Sequence, residues 1–400
     1  MDCLVPGRVL ISPALDHFED YPRRISEFLE MPFEIEYSIG DVIRGALGPE
    51  RHVPWEKAFP YVGRIPEGEE QNASTRLAGS QYAKAACPDF TVSASSTVQP
   101  DIQNIDQAIL AIGAPAQSLR CGDKCTVAIL DTGIDGNILH HPQSLEPSQF
   151  DVTMPRQAGG PPHDNDNHGS LVAYIINKIA PGAKLLSIRS LRPSGTVSDI
   201  LAGMYLAVER GPCDLINLSL RLNCDPGQCA HCKKFYASAN AAQLEYFFSV
   251  FIGANPNCLL IAAAGNGQGV RPMAMPASFD GIVAVGESDM NAGAAAPTAQ
   301  YQSVPQGRYL LAPGGDPGRM LGTKQSHRGL VSLQGTSFAT AFVTGVAARI
   351  VCGLKGGACT GGTAPGTLLP SAILGRLGAR AHAGWPAFNP AQHGLGIARY

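Results

Sequence analysis

Residues 125–133 read CTVAILDTG, a short apolar run that ends in an acid and a turn. Four more short runs are nearly continuous in apolar residues, at 184–189, 214–220, 258–264 and 282–286. Helix-like patterns accompany these runs, at 168–179, 197–210, 236–251 and 337–352. Short, almost wholly apolar strands that alternate with helices are typical of a parallel sheet covered by helices on both faces. The sequence therefore predicts an α/β fold.

The composition excludes several classes of protein. Of the 400 residues, 44% are hydrophobic and 16% are charged, which suffices for a large core and argues against wholesale disorder. No apolar run reaches the roughly 18 residues of a membrane-spanning helix, so no membrane partner is expected. The net charge of −3 gives no reason to expect a nucleic-acid partner.

The first residues and the cysteines bear on the cellular compartment. The N-terminal apolar stretch is broken by Pro6 and Pro13, unlike a secretory signal. The 11 cysteines are odd in number and scattered, which argues against a full disulfide framework and favours a reducing compartment. We therefore expect a cytoplasmic protein.

Charge divides the chain near residue 100. Residues 1–100 carry 9 Lys and Arg against 15 Asp and Glu, whereas residues 101–400 carry 21 against 18. The stretch 66–100 is rich in Ser, Ala, Thr and Gly, as linkers often are. These observations predict an N-terminal region over 1–100, with a linker over about 66–100, and a main domain over 104–400.

Four polar residues of the main domain follow predicted strands or open predicted helices. Asp131 and Asn266 follow strands, in DTGID and AAAGNG. His168 and Ser337 open helices, in HGS and GTSFAT. Because chemistry in such folds collects where the parallel strands end, we expect the four residues to meet there. An acid, a base, a hydroxyl and an amide donor are the groups of a nucleophilic hydrolase.

Elementary chemistry gives each group a role. The hydroxyl of Ser337 needs a base to become a nucleophile at neutral pH, and the His168 imidazole titrates in that range. Asp131 would accept the second ring N–H of His168 and fix its tautomer. The backbone N–H of Ser337, at a helix start, and the Asn266 amide would stabilise a developing oxyanion. This chemistry requires no cofactor.

The same motifs, in this order, resemble the subtilisin-like serine protease family, the subtilases or peptidase S8, over about 104–400. The resemblance implies a subtilisin-like parallel sheet and a serine endopeptidase that cuts polypeptides through an acyl-enzyme. It implies a catalytic triad of Asp131, His168 and Ser337, with Asn266 in the oxyanion hole. The helix over 168–179 leads directly into the next strand, where many relatives carry a calcium-binding loop. That calcium site is not expected, although calcium at another loop stays open.

The resemblance also assigns substrate-binding residues. The pocket for the residue before the scissile bond corresponds to Ser219, Leu220, Ala264, Gly265 and Ala274. The pocket holds no acid, so we expect it to prefer an apolar side chain. Asp166 would face the neighbouring subsite and favour Lys or Arg there. A solvated acidic loop is the alternative for Asp166.

An insertion between residues 220 and 266 carries closely spaced cysteines. The spacing of Cys224, Cys229 and Cys232 is compatible with a structural zinc site. The candidates for a fourth ligand are Cys213 and His231. A local disulfide and unpaired thiols are the alternatives, and the spacing does not choose among the three. Two further pairs have disulfide-like spacing: Cys121 with Cys125, and Cys352 with Cys359.

The N-terminal region has three interpretations. It has the length of the propeptides that block the cleft in many subtilases, and as such it would be an intramolecular inhibitor removed by self-cleavage within 66–105. It is otherwise a regulatory or partner-binding module, or a structural extension. For the whole chain, the competing hypothesis is a catalytically silent or self-inhibited protease-fold module that binds a partner.

Overall fold

The computed structural model describes residues 3–14, 20–47, 59–94, 102–114, 120–153, 164, 166–192, 194–224, 232, 240–267, 271–289, 295–296, 301, 303–314, 320–325, 329–333, 335–359, 369–384 and 388–399. These residues form a six-stranded antiparallel sheet, a seven-stranded parallel sheet and a small three-stranded sheet. Helices pack against the parallel sheet, so the predicted α/β fold is confirmed.

The N-terminal unit is an antiparallel sheet with helices between its strands. Its elements are β1 (Leu4–Pro13), α1 (Tyr21–Leu29), β2 (Glu34–Ser38), α2 (Ile39–Leu47), β3 (Tyr61–Arg64), α3 (Glu70–Ala78) and β4 (Ala83–Ala94). Within the unit the strand order is β4-β1-β3-β2, and each neighbouring pair is antiparallel.

The two faces of this sheet pack against different partners. Val9 and Ile11 of β1 lie in a small core with Ile25 of α1 and Leu77 of α3. Leu10, between them, belongs to the large core shared with the main domain. Because alternate residues of a strand point to opposite faces, one face closes the N-terminal unit and the other packs on the main domain.

The main domain is built on the parallel sheet. Its elements before the insertion are β5 (Ile102–Asn104), α4 (Ile105–Ala111), β6 (Thr126–Asp131), β7 (Phe150–Asp151), α5 (His168–Ile179), β8 (Lys184–Arg189), β9 (Ser194–Thr196), α6 (Val197–Glu209), β10 (Leu215–Leu218) and β11 (Leu220–Leu222). The later elements are α7 (Asn240–Ala254), β12 (Leu259–Ala263), β13 (Ile282–Ser288), β14 (Tyr309–Pro313), β15 (Met320–Gln325), β16 (Gly329–Leu333), α8 (Thr336–Leu354), α9 (Pro370–Arg380) and α10 (Pro390–His393). The parallel sheet has the order β14-β13-β12-β10-β6-β8-β7.

The predicted strands and helices of the main domain are confirmed, with ends that differ by a few residues. The predicted linker is wrong over 66–94, which holds α3 and β4. The small residues of this stretch suggested a linker, but Ala83, Ala85 and Ala86 of β4 are buried and pair with β1. Residues 95–100 lie outside the described residues.

Helix α8 is the one described helix that is long and apolar enough to cross a membrane, although no such run was expected from the sequence. The whole helix is buried inside the protein. It contacts β10, β12, β13 and β14 and is the central helix of the main domain. Its apolar character therefore reflects packing against the parallel sheet.

A disulfide joins Cys121, before β6, to Cys359, after α8. The pairings expected from spacing, of Cys121 with Cys125 and of Cys352 with Cys359, are therefore wrong. Cys121 and Cys359 are 238 positions apart, and the fold brings their Cα atoms to 4.4 Å. Spacing along the chain could not indicate a contact of this kind.

Candidate active site

Asp131 and His168 form a buried hydrogen-bonded pair. Asp131 is the last residue of β6 and His168 is the first residue of α5. His168 Nδ1 lies 2.7 Å from Asp131 Oδ1. A Cβ atom at Gly169 would lie 2.3 Å from the carbonyl oxygen of Gly133. Only glycine at position 169 therefore lets the start of α5 come this close to the end of β6.

Asp164 ties the two elements of this pair together, a role that the sequence did not indicate. Asp164 Oδ1 accepts hydrogen bonds from Thr132 Oγ1 and from the N–H of Asn167, each at 2.8 Å. Asp164 Oδ2 accepts from the N–H of Ser170 at 2.9 Å. Thr132 follows Asp131, and Ser170 is the third residue of α5. The buried carboxylate of Asp164 therefore fixes the position of His168 relative to Asp131.

The environment of His168 favours its charged form. Burial alone lowers the pKa of His168, but the carboxylate of Asp131, aided by those of Asp166 and Asp164, outweighs it. As a result, the pKa of His168 is raised above its usual value. His168 Nε2 has no hydrogen-bond partner among the described residues. One ring nitrogen is thus held by Asp131, while the other makes no hydrogen bond to a described residue.

Ser337 is the second residue of α8 and is buried. Its Oγ donates to the carbonyl oxygen of Ser219 at 2.9 Å, and Ser219 Oγ donates to the carbonyl oxygen of Ser337 at 2.8 Å. This reciprocal contact joins the start of α8 to the residue between β10 and β11. The Ser337 hydroxyl is hydrogen-bonded to the Ser219 carbonyl here and makes no hydrogen bond to His168 Nε2.

Asn266 is held at the same helix start. Its Oδ1 accepts hydrogen bonds from the N–H and the Oγ1 of Thr336, each at 2.7 Å. The N–H of Gly265 also donates to Thr336 Oγ1, at 3.1 Å. Since two donors meet this one atom, it is the oxygen of the amide, and the nitrogen lies on the opposite side of the group. Asn266 and Ser337 are therefore positioned by one residue, Thr336.

Comparison with known proteins agrees with these motifs. A sequence profile described as the subtilase family, peptidase S8, matches residues 122–385, well over half of the chain. The chain belongs to the subtilase family.

The relatives of this subtilase include bacterial proteases. M-protease of Shouchella clausii (strain KSM-K16) is 30% identical over 268 residues, which are 62% of this chain and 60% of that protein. Subtilisin Savinase of Lederbergia lenta is 29% identical over 268 residues, 62% of this chain and 84% of Savinase. The Thermophilic serine proteinase of Bacillus sp. (strain AK1) is 28% identical over 243 residues, 56% of this chain and 51% of that protein. This chain thus spans about half to three-fifths of two of these three relatives.

A solved structure extends the likeness to the N-terminal unit. Fervidolysin from Fervidobacterium pennivorans, described as a keratinolytic enzyme related to subtilisin, matches 99% of this chain and 60% of its own. The TM-score is 0.65 and the sequence identity is 15%. At this identity the likeness shows the fold alone, but it covers both units of the subtilase.

A pocket that Asn266 helps to line contains three of the five residues assigned to the substrate pocket. Its lining includes Ala264, Gly265, Ala274, Arg221 and Arg271. Arg271 was not foreseen: its guanidinium donates to the Gly265 carbonyl at 3.0 Å and lies over the Tyr301 ring at 4.7 Å. The lining of the pocket therefore combines small apolar walls with two cations, Arg221 and Arg271.

The other three residues predicted to bind substrate are not among those that line this pocket. Ser219 contacts Ser337, as described above. Leu220 contributes its backbone to β11 and its side chain to the large core. Asp166 is exposed and lies two residues before His168, whose pKa it raises. A direct contact of Asp166 with substrate stays a prediction.

The end of β4 lies between two strands of the main domain. Thr91, Val92 and Ser93 pair antiparallel with β9, and Val92, Ser93 and Ala94 pair antiparallel with β11. Ala94 is the register partner of Leu220, the residue that follows Ser219. The N-terminal unit therefore places an extended strand beside the contact between Ser219 and Ser337.

The structure assembles a different cysteine group from the predicted one. Cys224 and Cys232 lie close together, and their third neighbour is Cys3. Cys213, a candidate fourth ligand, contacts Cys258 instead. The other predicted members of the group, Cys229 and His231, lie outside the described residues.

Proposed function

We propose that this subtilase is a serine endopeptidase in which Ser337 is the nucleophile and His168 the general base. The observation that carries the proposal is the 2.7 Å hydrogen bond between His168 and Asp131, combined with Ser337 at the start of α8 beside the paired strands β4 and β11. The Asp131 carboxylate holds Nδ1 as the protonated nitrogen, which leaves Nε2 to accept a proton.

The reaction needs one rotation of the Ser337 hydroxyl, away from the Ser219 carbonyl and toward His168 Nε2. Ser337 Oγ then attacks the peptide carbonyl while His168 takes its proton. His168 passes that proton to the leaving amine, and an acyl-enzyme remains. Water attacks the ester by the reverse sequence and releases the carboxyl product.

The negative charge that develops on the peptide oxygen needs donors fixed in advance. The N–H of Ser337 lies in the first turn of α8, where the first backbone donors have no partner one helical turn earlier and the helix dipole favours an anion. We assign the second donor to the Asn266 amide nitrogen, because Thr336 already binds the amide oxygen. Thr336 thus supports the oxyanion site by orienting Asn266.

We further propose that the N-terminal unit is an intramolecular inhibitor. The end of β4 has strand partners on both sides, which is how an extended peptide substrate binds by adding a strand. From Val92 to Ala94 its register partners run from Leu222 to Leu220, so β4 ends beside the residue that follows Ser219. Self-cleavage after Ala94 and before β5 would fall within the predicted range, 66–105. The silent partner-binding module is not favoured by the intact Asp131–His168 pair.

Fluorophosphonate labelling read by intact mass tests the nucleophile. Wild-type protein whose N-terminal unit has been cut off is expected to gain one adduct, and Ser337→Ala is expected to gain none. Ser187→Ala removes a buried serine of β8, in the part of the chain that remains after the cut, and is the matched control that should label like wild type. If cleaved wild-type protein gains no adduct, Ser337 is not the nucleophile.

The same spectra test self-cleavage. Ser337→Ala should keep its full-length mass, whereas wild type should lose the N-terminal unit. A shortened Ser337→Ala protein would show that another protease makes the cut. It would leave the assignment of the nucleophile untouched.

A further inference from the structure

Three buried cysteines from distant parts of the chain meet at one point. Cys3 precedes β1, Cys224 follows β11, and Cys232 lies further along the insertion. Their Sγ atoms all lie within 4.8 Å of one another. They are 4%, 4% and 0% exposed, respectively. This group includes a residue of the N-terminal unit, which the cysteine spacing within the insertion could not indicate.

The separation of the sulfur atoms suits a zinc ion. In a tetrahedral site with Zn–S bonds of about 2.3 Å, two sulfur ligands lie about 3.8 Å apart. A contraction of about 1 Å or less from the 4.8 Å limit would bring the three atoms to this spacing. A disulfide uses only two cysteines and would leave the third beside it, whereas a zinc site uses all three.

The position of the group joins the two units of the chain. The carbonyl oxygen of Cys3 accepts a hydrogen bond from the N–H of Thr91 at 3.0 Å. The carbonyl oxygen of Thr91 in turn accepts from the N–H of Asn223 at 2.9 Å. Asn223 directly precedes Cys224. A metal held by Cys3 and Cys224 would therefore close a bridge across three adjacent backbone segments, of which the middle one is the end of β4.

We propose that Cys3, Cys224 and Cys232 bind a structural zinc ion that links the N-terminal unit to the insertion of the main domain. Zinc–thiolate sites of this kind add binding energy directly to the folded arrangement. The three thiolates would fill three of the four positions of a tetrahedral zinc site.

Metal content of the full chain tests the site. The background is Ser337→Ala, so that the result does not depend on catalysis. The protein is purified with added zinc, desalted, and measured by elemental mass spectrometry, with an expected content of about one zinc per chain. Replacement by cobalt should give the intense sulfur-to-cobalt charge-transfer absorption of thiolate ligands.

Single substitutions identify the ligands. Cys3→Ser and Cys224→Ser should lower zinc content at least about 10-fold and remove the charge-transfer band. Cys258→Ser is the matched control, because Cys258 is 5% exposed, as buried as Cys3, but contacts Cys213 elsewhere. This control should keep its zinc. If Cys3→Ser keeps its zinc, Cys3 is not a ligand and the proposed bridge between the units is wrong.

A measurement without substitutions guards against variants that do not fold. Alkylation of the Ser337→Ala protein, followed by peptide mapping, should leave Cys3, Cys224 and Cys232 unmodified until a zinc chelator is added. A disulfide-linked pair among the three, or equal protection with and without chelator, would overturn the proposal.

The consequence for inhibition rests on the proposed function. In cleaved wild-type protein, chelator should speed release of the N-terminal unit and raise peptidase activity, while the same chelator should leave Cys3→Ser unchanged. If the zinc site is present but activity never appears, the proposed function fails and the metal site stands. If activity appears in protein that binds no zinc, the metal site fails and the proposed function stands.

Discussion

At the scale of single residues, the site depends on side chains that never touch a substrate. Asp164 accepts hydrogen bonds from both sides of the Asp131–His168 pair, and Thr336 holds the oxygen of Asn266. Asp164 lies outside the quoted motifs, and Thr336 lies within GTSFAT but is not one of the four reacting groups. Substituting Asp164 or Thr336 therefore measures how much catalysis depends on the placement of the reacting groups.

Asp164→Ala is expected to lower kcat by roughly 10²-fold with little change in KM, because misplacing a general base by about 1 Å has that effect. Asp164→Asn should recover part of the loss, since one acceptor oxygen remains. Asp166→Asn, an exposed acid two residues away, is the control and should keep the plateau value of kcat. Equal losses in both variants would point to charge rather than to positioning.

The acid limb of the pH profile should respond to Asp166. Its carboxylate raises the pKa of His168, and catalysis needs the neutral imidazole. Removing the carboxylate destabilises the imidazolium and lowers that pKa. Asp166→Asn should therefore stay active to lower pH than wild type in kcat/KM. A profile that does not move, or that moves to higher pH, would contradict this interpretation of the site.

The residues that line the pocket beside Asn266 predict the substrate preference. The small apolar walls at Ala264, Gly265 and Ala274 favour an apolar residue before the scissile bond, and the Arg271 guanidinium is already bound to the Gly265 carbonyl. Peptides that differ only at this position, Leu against Glu, should show higher kcat/KM for Leu. Faster cleavage of the Glu peptide, reversed in Arg271→Met, would assign the pocket to acidic side chains.

At the scale of secondary structure elements, β4 is anchored by a carboxylate at the start of α6. Asp89 of β4 accepts hydrogen bonds from the N–H and the Oγ of Ser198, at 3.2 Å and 2.8 Å. Burial raises the pKa of Asp89 to about 6, despite these bonds and the nearby Arg8. Burial also raises the pKa of Asp199 to about 7, with Asp89 adding to the shift. Glu36 and Tyr37 also face Asp89.

These raised values predict how the anchoring depends on pH. A carboxyl whose pKa is higher when folded than its unfolded value of about 3.9 stabilises the fold below that value, and the contribution is lost as pH rises through the folded pKa. Stability of Ser337→Ala should therefore fall by about 2 kcal/mol or more between pH 4 and pH 8 from these two groups. Asp89→Asn should flatten that slope in urea unfolding; an unchanged slope would exclude Asp89 as its source.

The sequence predicted the elements of the main domain and the motif residues because both have local signals. Apolar runs identify buried strands, and Asp131, His168, Asn266 and Ser337 lie within recognisable short motifs. The rest depends on contacts between residues far apart in the chain. The composition of β4 is typical of a linker, and its strand partners β9 and β11 lie about 100 or more positions later in the chain. Its own residues therefore could not indicate that it is a strand. Cys3 gave no signal because its neighbours, Cys224 and Cys232, follow more than 200 positions later.

At the scale of the whole molecule, the disulfide closes most of the main domain into one loop. It joins Cys121 to Cys359 across 238 positions. Cross-links that close long loops stabilise proteins by about 2–5 kcal/mol. The substitution Cys359→Ser should lower the free energy of unfolding by that amount, and Cys258→Ser should lower it less. Disulfides persist in oxidising compartments, so the predicted cytoplasmic location should be tested by fractionation.

The large core has a consequence for the order in which the chain folds. Leu10, Tyr37 and Val42 of the N-terminal unit lie in the same core as the parallel sheet of the main domain. During synthesis the N-terminal unit leaves the ribosome first, and domains generally form in that order. The apolar face of the N-terminal sheet would then already be formed when α6 and α7 emerge from the ribosome. The N-terminal unit would therefore serve as a template on which the main domain assembles, a task complete before any peptide bond is cut.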